Sequence, residues 1–370
     1  MDSQNSILDK VIDSHKTQEK EQFYPSELVA VLLKCLASKE EDILRRRFGL
    51  NRDQKETLEQ IGNGYNVTRE RVRQIENNSV TKIRALKNFN QLVDPVKHLI
   101  TSLLTEQGGF LLEADLLMAL VAYSDEREMD NRSVLFLLTV ILKGQFQFLD
   151  NTKFRACWGL KHSSVDLLEQ VVGEQAKIVE DSGKPMTAKQ IVDQFNKSEL
   201  ASQNSAFLDS KAITSYLNIS KQIDRNPYDE YGLSTWGNIN PKRINDKIFL
   251  VMKRKGKPMH FTEIAKEINR VKFDKRKAYP PTIHNELIMN EQYVLVGRGI
   301  YALKEWGYKP GIVSDVLQNI LKKSDHPLAR EELVKAVMEQ RIVKKNTIHL
   351  ALTDKKKFTK TANGKYQLAS

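Results

Sequence analysis

A segment of about 65–70 residues recurs along most of this chain, and this internal repeat constrains the fold more than any other feature of the sequence. The best-preserved copy carries Ile283, Leu287, Tyr293, Tyr301, Leu303, Trp306 and Gly307. Seventy residues earlier the matching positions are Ile213, Leu217, Ile223, Tyr231, Leu233, Trp236 and Gly237, and sixty-five residues later they include Ile348, Leu352, Phe358, Tyr366 and Leu368. A looser first copy runs from about Asp94 to Leu160, with Val134, Leu138 and a closing Trp158-Gly159. Such a chain is expected to fold as a row of small modules.

Each copy has the pattern of three helices followed by a β-hairpin. In the third copy, apolar residues at helical spacing mark Ile244–Met252, and a Gly-Lys-Pro turn leads into helices at Thr262–Ile268 and Pro281–Met289. Two short alternating stretches, Tyr293–Val296 and Ile300–Leu303, then flank a glycine-containing turn. This order is typical of a winged helix. We expect the repeated apolar positions to form the cores and the Trp-Gly pairs to pack beneath the wings.

The repeats resemble the HARE-type helix-turn-helix, a winged domain that is also found in the delta subunit of bacterial RNA polymerase. The resemblance is strongest in the third copy, through Gly-Lys-Pro-Met-His-Phe at 256–261 and Gly-Ile-Tyr-Ala-Leu-Lys-Glu-Trp at 299–306. Members of this family are associated with DNA or with polymerase. The resemblance leaves both roles open.

A different pattern lies upstream of the repeats, beginning at Leu58. With Leu58 as the first position of a helix-turn-helix, the small or apolar positions where two helices cross are Ile61, Gly62, Tyr65, Val67, Val72 and Ile75. Asn66 falls in the turn, where its side chain tolerates a left-handed backbone. Thr68 is a good N-cap for the helix that follows. The pattern therefore predicts a helix-turn-helix.

The second helix of this motif, predicted over Arg69–Leu86, exposes side chains that can read base edges in a major groove. Arg69 and Arg73 suit guanine. Glu70 suits cytosine, and Gln74 suits adenine. The alternative is a solvated helix face stabilised by charge pairs one turn apart. The complete packing pattern beside the helix favours DNA reading.

This part of the chain resembles region 4 of the sigma-70 family of bacterial transcription initiation factors. The most specific stretch is Val-Thr-Arg-Glu-Arg-Val-Arg-Gln-Ile-Glu at 67–76, and Glu-Asp-Ile-Leu-Arg-Arg-Arg-Phe-Gly-Leu at 41–50 precedes it. In the family this helix reads the promoter −35 element. The resemblance implies base contacts by Arg69, Glu70, Arg73 and Gln74. It implies DNA backbone contacts by Thr57, Thr68, Arg71, Lys82 and Arg84.

The resemblance extends to a polymerase contact and departs from the family in two places. The upstream helix, predicted over Pro25–Leu36, matches the part that grips the β-flap of core RNA polymerase. The residues concerned are Leu28, Val31, Leu32 and Leu36. Gly64 stands inside the first helix of the motif, where the family has a larger residue, and is expected to soften it. No segment matches sigma region 2, which captures flipped bases of the −10 element, so we expect no promoter opening by this protein alone.

The positive charge of the chain is concentrated in its last third. The net charge is +11; residues 242–370 contain 28 Lys and Arg against 13 Asp and Glu, whereas residues 1–241 contain 30 against 34. The basic runs contain Lys253, Arg254, Lys255, Lys275, Arg276, Lys277, Lys355, Lys356 and Lys357. This excess of positive charge favours a surface that contacts a phosphate backbone over one that is simply solvated.

Membrane and disulfide-bonded classes have no signature in the sequence. No apolar stretch approaches the ~18 residues of a membrane span, and the first residues do not read as a signal peptide. Cys35 and Cys157 lie too far apart for a disulfide framework or a zinc finger. His284 and His349 have no partner at ligand spacing, so no metal site is predicted.

No nucleotide-binding, metalloprotease or hydrolase motif is present, and we expect no enzymatic activity. Asp209 with Lys211, and Glu332 with Lys335, are the carboxylate–lysine combinations that leave a nuclease site as a minor alternative.

These patterns predict a mainly α protein, with a helix-turn-helix domain followed by tandem winged-helix domains. The predicted divisions are a flexible segment at 1–21, the helix-turn-helix at 22–90, and winged helices at 91–161, 162–240, 241–310 and 311–370. The predicted function is that of a bacterial DNA-binding transcription regulator, cytoplasmic and nucleoid-associated, with no cofactor. Its expected partners are promoter-like double-stranded DNA and core RNA polymerase, with no membrane and no small-molecule substrate. The alternative is a polymerase-associated accessory protein whose winged helices bind protein.

Overall fold

The computed structural model describes residues 23–51, 54–308, 311–324, 326–361 and 363–369; the flexible segment predicted at 1–21 lies outside them. The chain is mainly helical, with small antiparallel sheets. It divides into two compact units. The first extends to Asp224 and includes Tyr231–Leu233, and the second comprises Arg225–Glu230 and the chain from Ser234 onward. No helix in the described ranges is long and apolar enough to cross a membrane.

The first unit begins with the helices of the predicted DNA-binding motif and continues into the first two repeats. Its helices are α1 (Pro25–Leu33), α2 (Ser38–Phe48), α3 (Leu58–Tyr65), α4 (Arg69–Arg84), α5 (Phe89–Glu106), α6 (Glu113–Leu120), α7 (Arg127–Phe136), α8 (Val165–Ser182), α9 (Ala188–Phe195), α10 (Glu199–Gln203) and α11 (Ser210–Ile219). Its strands are β1 (Phe110–Leu112), β2 (Phe146–Leu149), β3 (Cys157–Leu160) and β4 (Met186–Thr187), together with β5 (Ile223–Arg225) and β6 (Glu230–Leu233), whose residues Arg225 and Glu230 are assigned to the second unit. They form sheets with the orders β1-β3-β2 and β4-β6-β5. One π-helical turn, Leu137–Ile141, extends α7.

The second unit holds the third and fourth repeats. Its helices are α12 (Ile244–Lys255), α13 (Phe261–Val271), α14 (Pro280–Met289), α15 (Val313–Lys323), α16 (Arg330–Gln340) and α17 (Lys345–Ala351). Its strands are β7 (Met259–His260), β8 (Tyr293–Gly297), β9 (Ile300–Leu303), β10 (Phe358–Lys360) and β11 (Tyr366–Leu368). The sheets have the orders β7-β9-β8 and β10-β11. The predicted helices and hairpin of the third copy are present, with helix ends that differ by up to three residues.

The repeated apolar positions are core residues, as the spacing predicts. Ile213, Ile283 and Ile348 are fully buried, and each belongs to the third helix of its repeat. We use the term third helix for α7, α11, α14 and α17, the helices that carry Val134 or one of these isoleucines. Fully burying a side chain of this size stabilises the fold by roughly 1.5–3 kcal/mol.

The two units build their cores differently. In the first unit one apolar core contains residues from Val29 to Leu160, and a second contains residues from Phe110 to Ile219. These cores therefore run across the predicted boundaries at 90/91 and 161/162. In the second unit the third and fourth repeats have separate cores, formed by residues from Ile248 to Leu303 and from Val316 to Phe358.

Candidate nucleic-acid interface

Helices α3 and α4 form a capped helix-turn-helix. The hydroxyl of Thr57 accepts a hydrogen bond from the Gln60 amide at 3.2 Å, and the Gln60 side chain accepts one from the Thr57 amide at 2.8 Å. The Thr68 hydroxyl accepts from the Arg71 amide at 3.2 Å and so caps α4, as predicted. Asn66 ends α3 with φ 53° and ψ 43°, the left-handed conformation predicted for the turn. Each cap satisfies a backbone donor that the helix itself leaves open.

Helix α3 lies against the turn that precedes α4 at Gly62. A Cβ atom at this position would lie 2.7 Å from the backbone oxygen of Val67, closer than any side chain tolerates. Ile61 and Val72 are fully buried beside it and pack with Ile43 of α2. The glycine therefore sets the spacing that holds α4 against α3.

The neighbouring Gly64 leaves room for an arginine. A Cβ on Gly64 would lie 3.3 Å from a terminal nitrogen of the Arg46 guanidinium, which forms a two-pronged pair with Glu56 at 2.8 and 2.6 Å. This pair holds the pKa of the Glu56 carboxyl below its usual range. Tyr65 donates to Asp42 at 2.6 Å from the same end of α3. The departure at Gly64 thus accompanies a charge pair that anchors the loop before α3.

The predicted base-reading residues lie together on α4 and are all exposed. Arg69, Glu70, Arg73 and Gln74 occupy its first two turns. Arg73 donates two hydrogen bonds to Glu70, at 2.9 and 2.7 Å, and keeps the pKa of that carboxyl below its ordinary value. Arg71 donates to Gln74 at 3.2 Å. These contacts are short-range and exposed, so the donors and acceptors can exchange them for base or phosphate contacts at little cost.

Sequence reasoning missed the continuation of this face. At 100° per residue, Asn77 and Thr81 follow Glu70 and Gln74 along the same side of α4. Both are exposed, and the Asn77 side chain has the amide that suits adenine. The spacing of seven residues between Glu70 and Asn77, nearly two helical turns, would have indicated that both lie on the same side of α4.

Two of the predicted backbone contacts are engaged elsewhere in the first unit. Lys82 pairs with Glu40 of α2 at 2.6 Å, and Arg84 donates to the backbone oxygen of Val140 at 2.6 Å. Both lie about 20 Å along α4 from Arg69. The other three residues, Thr57, Thr68 and Arg71, lie exposed around the start of α3 and α4.

The residues predicted to contact polymerase are divided between core and surface. Helix α1 ends at Leu33 instead of Leu36, because the Leu36 amide bonds to the Leu33 oxygen in a tighter turn at 3.0 Å. Leu32 and Leu36 are buried in the first core, and Leu28 packs against it. Val31 is 43% exposed. Among the four residues predicted to contact polymerase, Val31 is therefore the one whose side chain a partner can reach directly.

The basic runs of the second unit differ in how they are engaged. Lys253 lies over the Phe249 ring and Arg254 over the Tyr228 ring, at 5.2 and 5.4 Å, and Lys255 pairs with Glu267 at 3.1 Å. Lys357 pairs with Asp315 at 4.0 Å. A further set is exposed without an ion pair to any residue in the described ranges, although Lys277 lies over the Tyr279 ring at 5.8 Å. This set is Lys275, Arg276, Lys277, Lys355 and Lys356.

The combinations that left a nuclease site open have structural roles. Asp209 caps α11 by accepting from the Ala212 amide at 2.7 Å. Glu332 accepts from the Ala329 amide at 2.7 Å at the start of α16. Carboxylates used in this way stabilise helix starts.

A close-packed helix-turn-helix with an exposed polar second helix defines a DNA-binding class of module. Residues 32–85 match the family Sigma-70, region 4. Over 63 residues the chain is 44% identical to RNA polymerase sigma factor SigA of Clostridium acetobutylicum. The aligned segment is 17% of this chain and 17% of that protein. RNA polymerase sigma factor SigA of Listeria monocytogenes has the same identity and the same coverage. RNA polymerase sigma factor SigA1 of Synechococcus elongatus is 49% identical over 53 residues, which are 14% of this chain and 13% of that protein.

The chain thus spans about one sixth of the length of these curated relatives. Residues 32–85 form a sigma-70 region 4 domain, and the similarity supports a sigma-like DNA-binding role for this part of the chain.

Proposed function

We propose that this protein is a DNA-binding transcription regulator that recognises a promoter −35-type element through α4. The observation that supports the proposal is the exposed face of α4 that carries Arg69, Glu70, Arg73 and Gln74. A capped and close-packed helix-turn-helix within a sigma-70 region 4 domain positions this face. Arg69, Glu70, Arg73 and Gln74 supply base contacts. Thr57, Thr68 and Arg71 hold the flanking phosphates. Each good base contact contributes roughly 1–3 kcal/mol of discrimination.

The pair between Glu70 and Arg73 prepares this surface for binding. Both side chains lie on the exposed face of α4 and stay more than half exposed within the pair. The carboxylate of Glu70 retains lone pairs for a cytosine amino group, while Arg73 retains donors for a guanine or a phosphate.

The repeats are proposed to be winged helices related to the HARE type, divided as the sequence predicts, although the modules of the first unit share cores across the boundaries at 90/91 and 161/162. Regulation is positional: the chain sits at a promoter-like site and docks on core RNA polymerase, with Val31 of α1 at the contact with the β-flap. Promoter melting is not part of the proposed role. The basic runs of the second unit, Lys253–Lys255, Lys275–Lys277 and Lys355–Lys357, contribute salt-sensitive affinity for the phosphate backbone.

A polymerase-associated accessory role is the second candidate, and one observation favours it. In the fourth repeat, Met338 is 46% and Leu350 is 71% exposed, and Met338 lies in a cavity of about 660 Å³ that also contains Val334 and His349. An apolar surface of this kind suits a protein partner. Capture of the tagged full chain from nuclease-treated extract, probed for core polymerase subunits, tests this role separately from DNA binding.

The primary proposal is tested by selecting duplexes from a random pool with the full chain and measuring affinity for the selected site and for a scrambled one. Arg69→Ala should lose most of the preference, a 5- to 150-fold change for about 1–3 kcal/mol. Arg127→Ala is the matched control, because Arg127 is an exposed arginine at the start of α7. An Arg69→Ala protein that kept full preference for the selected site would contradict base reading by α4.

A further inference from the structure

The third helices of the first three repeats have two different environments. In α11, Ala212, Ile213, Ser215, Tyr216, Leu217 and Ile219 are buried. The Tyr216 hydroxyl donates to the backbone oxygen of Gly108 at 2.5 Å, and Ser215 donates to that of Phe110 at 2.8 Å. This helix is therefore packed against strand β1 of the preceding repeat, where a nucleic acid cannot reach most of its surface.

Helix α7 is enclosed in the same way. The carboxylate of Asp130, 2% exposed, accepts a hydrogen bond from the Ser26 amide of α1 at 2.9 Å. The Phe136 ring lies 4.9 Å from that of Phe48, and both belong to the core shared with the sigma-70 region 4 domain. Both third helices of the first unit thus serve as packing elements.

Helix α14 of the third repeat has the opposite environment. Ile283 and Leu287 are its buried residues, whereas Thr282, Asn285 and Met289 are exposed along one side. Its repeat has a core of its own. The side of α14 that carries Thr282 and Asn285, with the exposed Met289 at its end, is therefore accessible within the second unit.

The loop that leads into α14 carries three cations and is fixed at both ends. Asp274 accepts from the Arg276 amide at 2.9 Å, and Lys247 pairs with Asp274 at 2.6 Å. At the other end Asn269 exchanges two hydrogen bonds with the backbone of Ala278, both at 2.8 Å. The loop is thus held in place before any ligand arrives, which lowers the entropy lost on binding.

The charge of this loop is not neutralised from within. The carboxylate of Asp274 forms an ion pair with Lys247, whose side chain is 5% exposed. Lys275, Arg276 and Lys277 are exposed and form no ion pair with any residue that the structure describes. This surface belongs to the part of the sequence with 28 basic and 13 acidic residues. Its charge complements a phosphate backbone.

We infer that the loop Lys275–Lys277 and the exposed face of α14 form a second contact with double-stranded DNA, directed at phosphates, and that α7 and α11 are spacers which do not touch DNA. The inference rests on the proposed DNA-binding function and assigns its second surface. Phosphate contacts position a protein on DNA without reading sequence, so this surface adds affinity at any site.

The test compares two double variants of the full chain that remove equal charge. One is Lys275→Gln with Lys277→Gln. The control is Lys189→Gln with Lys211→Gln, on exposed positions of α9 and α11. Fluorescence anisotropy on a selected duplex and on a scrambled duplex, between 50 and 200 mM salt, gives the slope of log K against log salt for each protein.

Each phosphate contact contributes a slope of about 0.9, so the loop variant should lower the slope by about 1.8 on both duplexes, and the control should leave it unchanged. Equal slopes for the two double variants would overturn the inference. Arg69→Ala in the same assay separates the two proposals. A loss of site preference in Arg69→Ala reports on α4, whereas the difference in slope between the loop variant and the wild type on the scrambled duplex reports on the loop.

Discussion

The amide of Ser26 donates to the buried carboxylate of Asp130 at 2.9 Å, across 104 positions of sequence. Ser26 is the second residue of α1, so its N–H has no partner inside its own helix. Asp130 also accepts from the Ser124 hydroxyl. The positive end of the α1 dipole therefore compensates a negative charge on α7 that has been removed from water.

Removal of the Asp130 carboxylate should destabilise the first unit. Asp130→Ala leaves the Ser26 amide and the Ser124 hydroxyl without their acceptor inside the fold, at a cost of about 1–3 kcal/mol. Urea unfolding followed by circular dichroism gives the change as a lower midpoint. Asp125→Ala, at an exposed position nearby, is the control and should shift the midpoint little. Equal midpoints for the two variants would mean that the bond does not stabilise the fold.

Two glycines should respond to alanine with opposite signs. Gly62→Ala places a methyl 2.7 Å from the Val67 backbone oxygen, so the turn between α3 and α4 must shift, at a cost of about 1–3 kcal/mol. Gly173 lies inside α8 with nothing within 4 Å of its Cβ position, so Gly173→Ala should stabilise by about 0.5–1 kcal/mol. Thermal unfolding of both variants checks the signs. Tolerance of alanine at Gly62 would refute the close approach.

Asn77 should contribute to site preference although its position lies outside the matched reading residues. Asn77→Ala removes an amide from the exposed face of α4 and should cost about 1–3 kcal/mol on the selected site. The same change at Asn90, an exposed residue of α5, is the matched control. Competition binding against duplexes with single base changes shows which base pair is affected. Identical base preferences for Asn77→Ala and wild type would confine base reading to the first two turns of α4.

The second unit should lose stability in acid through Glu267. The hydrogen bond from Arg270 at 2.6 Å and the pair with Lys255 lower the pKa of this carboxyl to about 2. Because the folded pKa lies below the unfolded value of about 4.5, its contribution is complete above that value and is lost as the pH falls towards 2.

Unfolding of wild type and Glu267→Gln between pH 2 and 7 measures this contribution. The difference should be at most about 1 kcal/mol near neutrality, because the cationic partners are exposed, and should vanish near pH 2. Arg270→Gln removes the main donor and should reduce the pH dependence in the same window. A difference that stayed constant down to pH 2 would exclude Glu267 as its source.

Local patterns in the sequence were sufficient to predict the helix-turn-helix. The caps at Thr57 and Thr68, the left-handed Asn66 and the small Gly62 all depend on interactions within about ten residues. For the same reason the exposed polar face of α4 could be predicted in its first two turns. The buried isoleucines of the repeats followed from a period that the chain repeats with little variation.

The enclosure of α7 and α11 could not be predicted, because it depends on contacts between modules. Nothing in the spacing around Phe136 indicates a ring partner at Phe48, and the packing of Tyr216 against Gly108 joins residues of different repeats. The burial of Leu32 and Leu36 has the same origin. An apolar helix face has one sequence pattern whether it is covered by another protein or by the same chain.

The core that runs from Val29 to Leu160 determines what can be cut from this protein. A fragment ending at residue 90 would keep α4 but lose Val134, Phe136 and Leu137, which belong to the same core as Ile83 of α4. In hydrogen-exchange terms, the amides of α1 and α7 belong to one cooperative unit and should open together. A stable fragment that contains α4 therefore has to extend at least through β3.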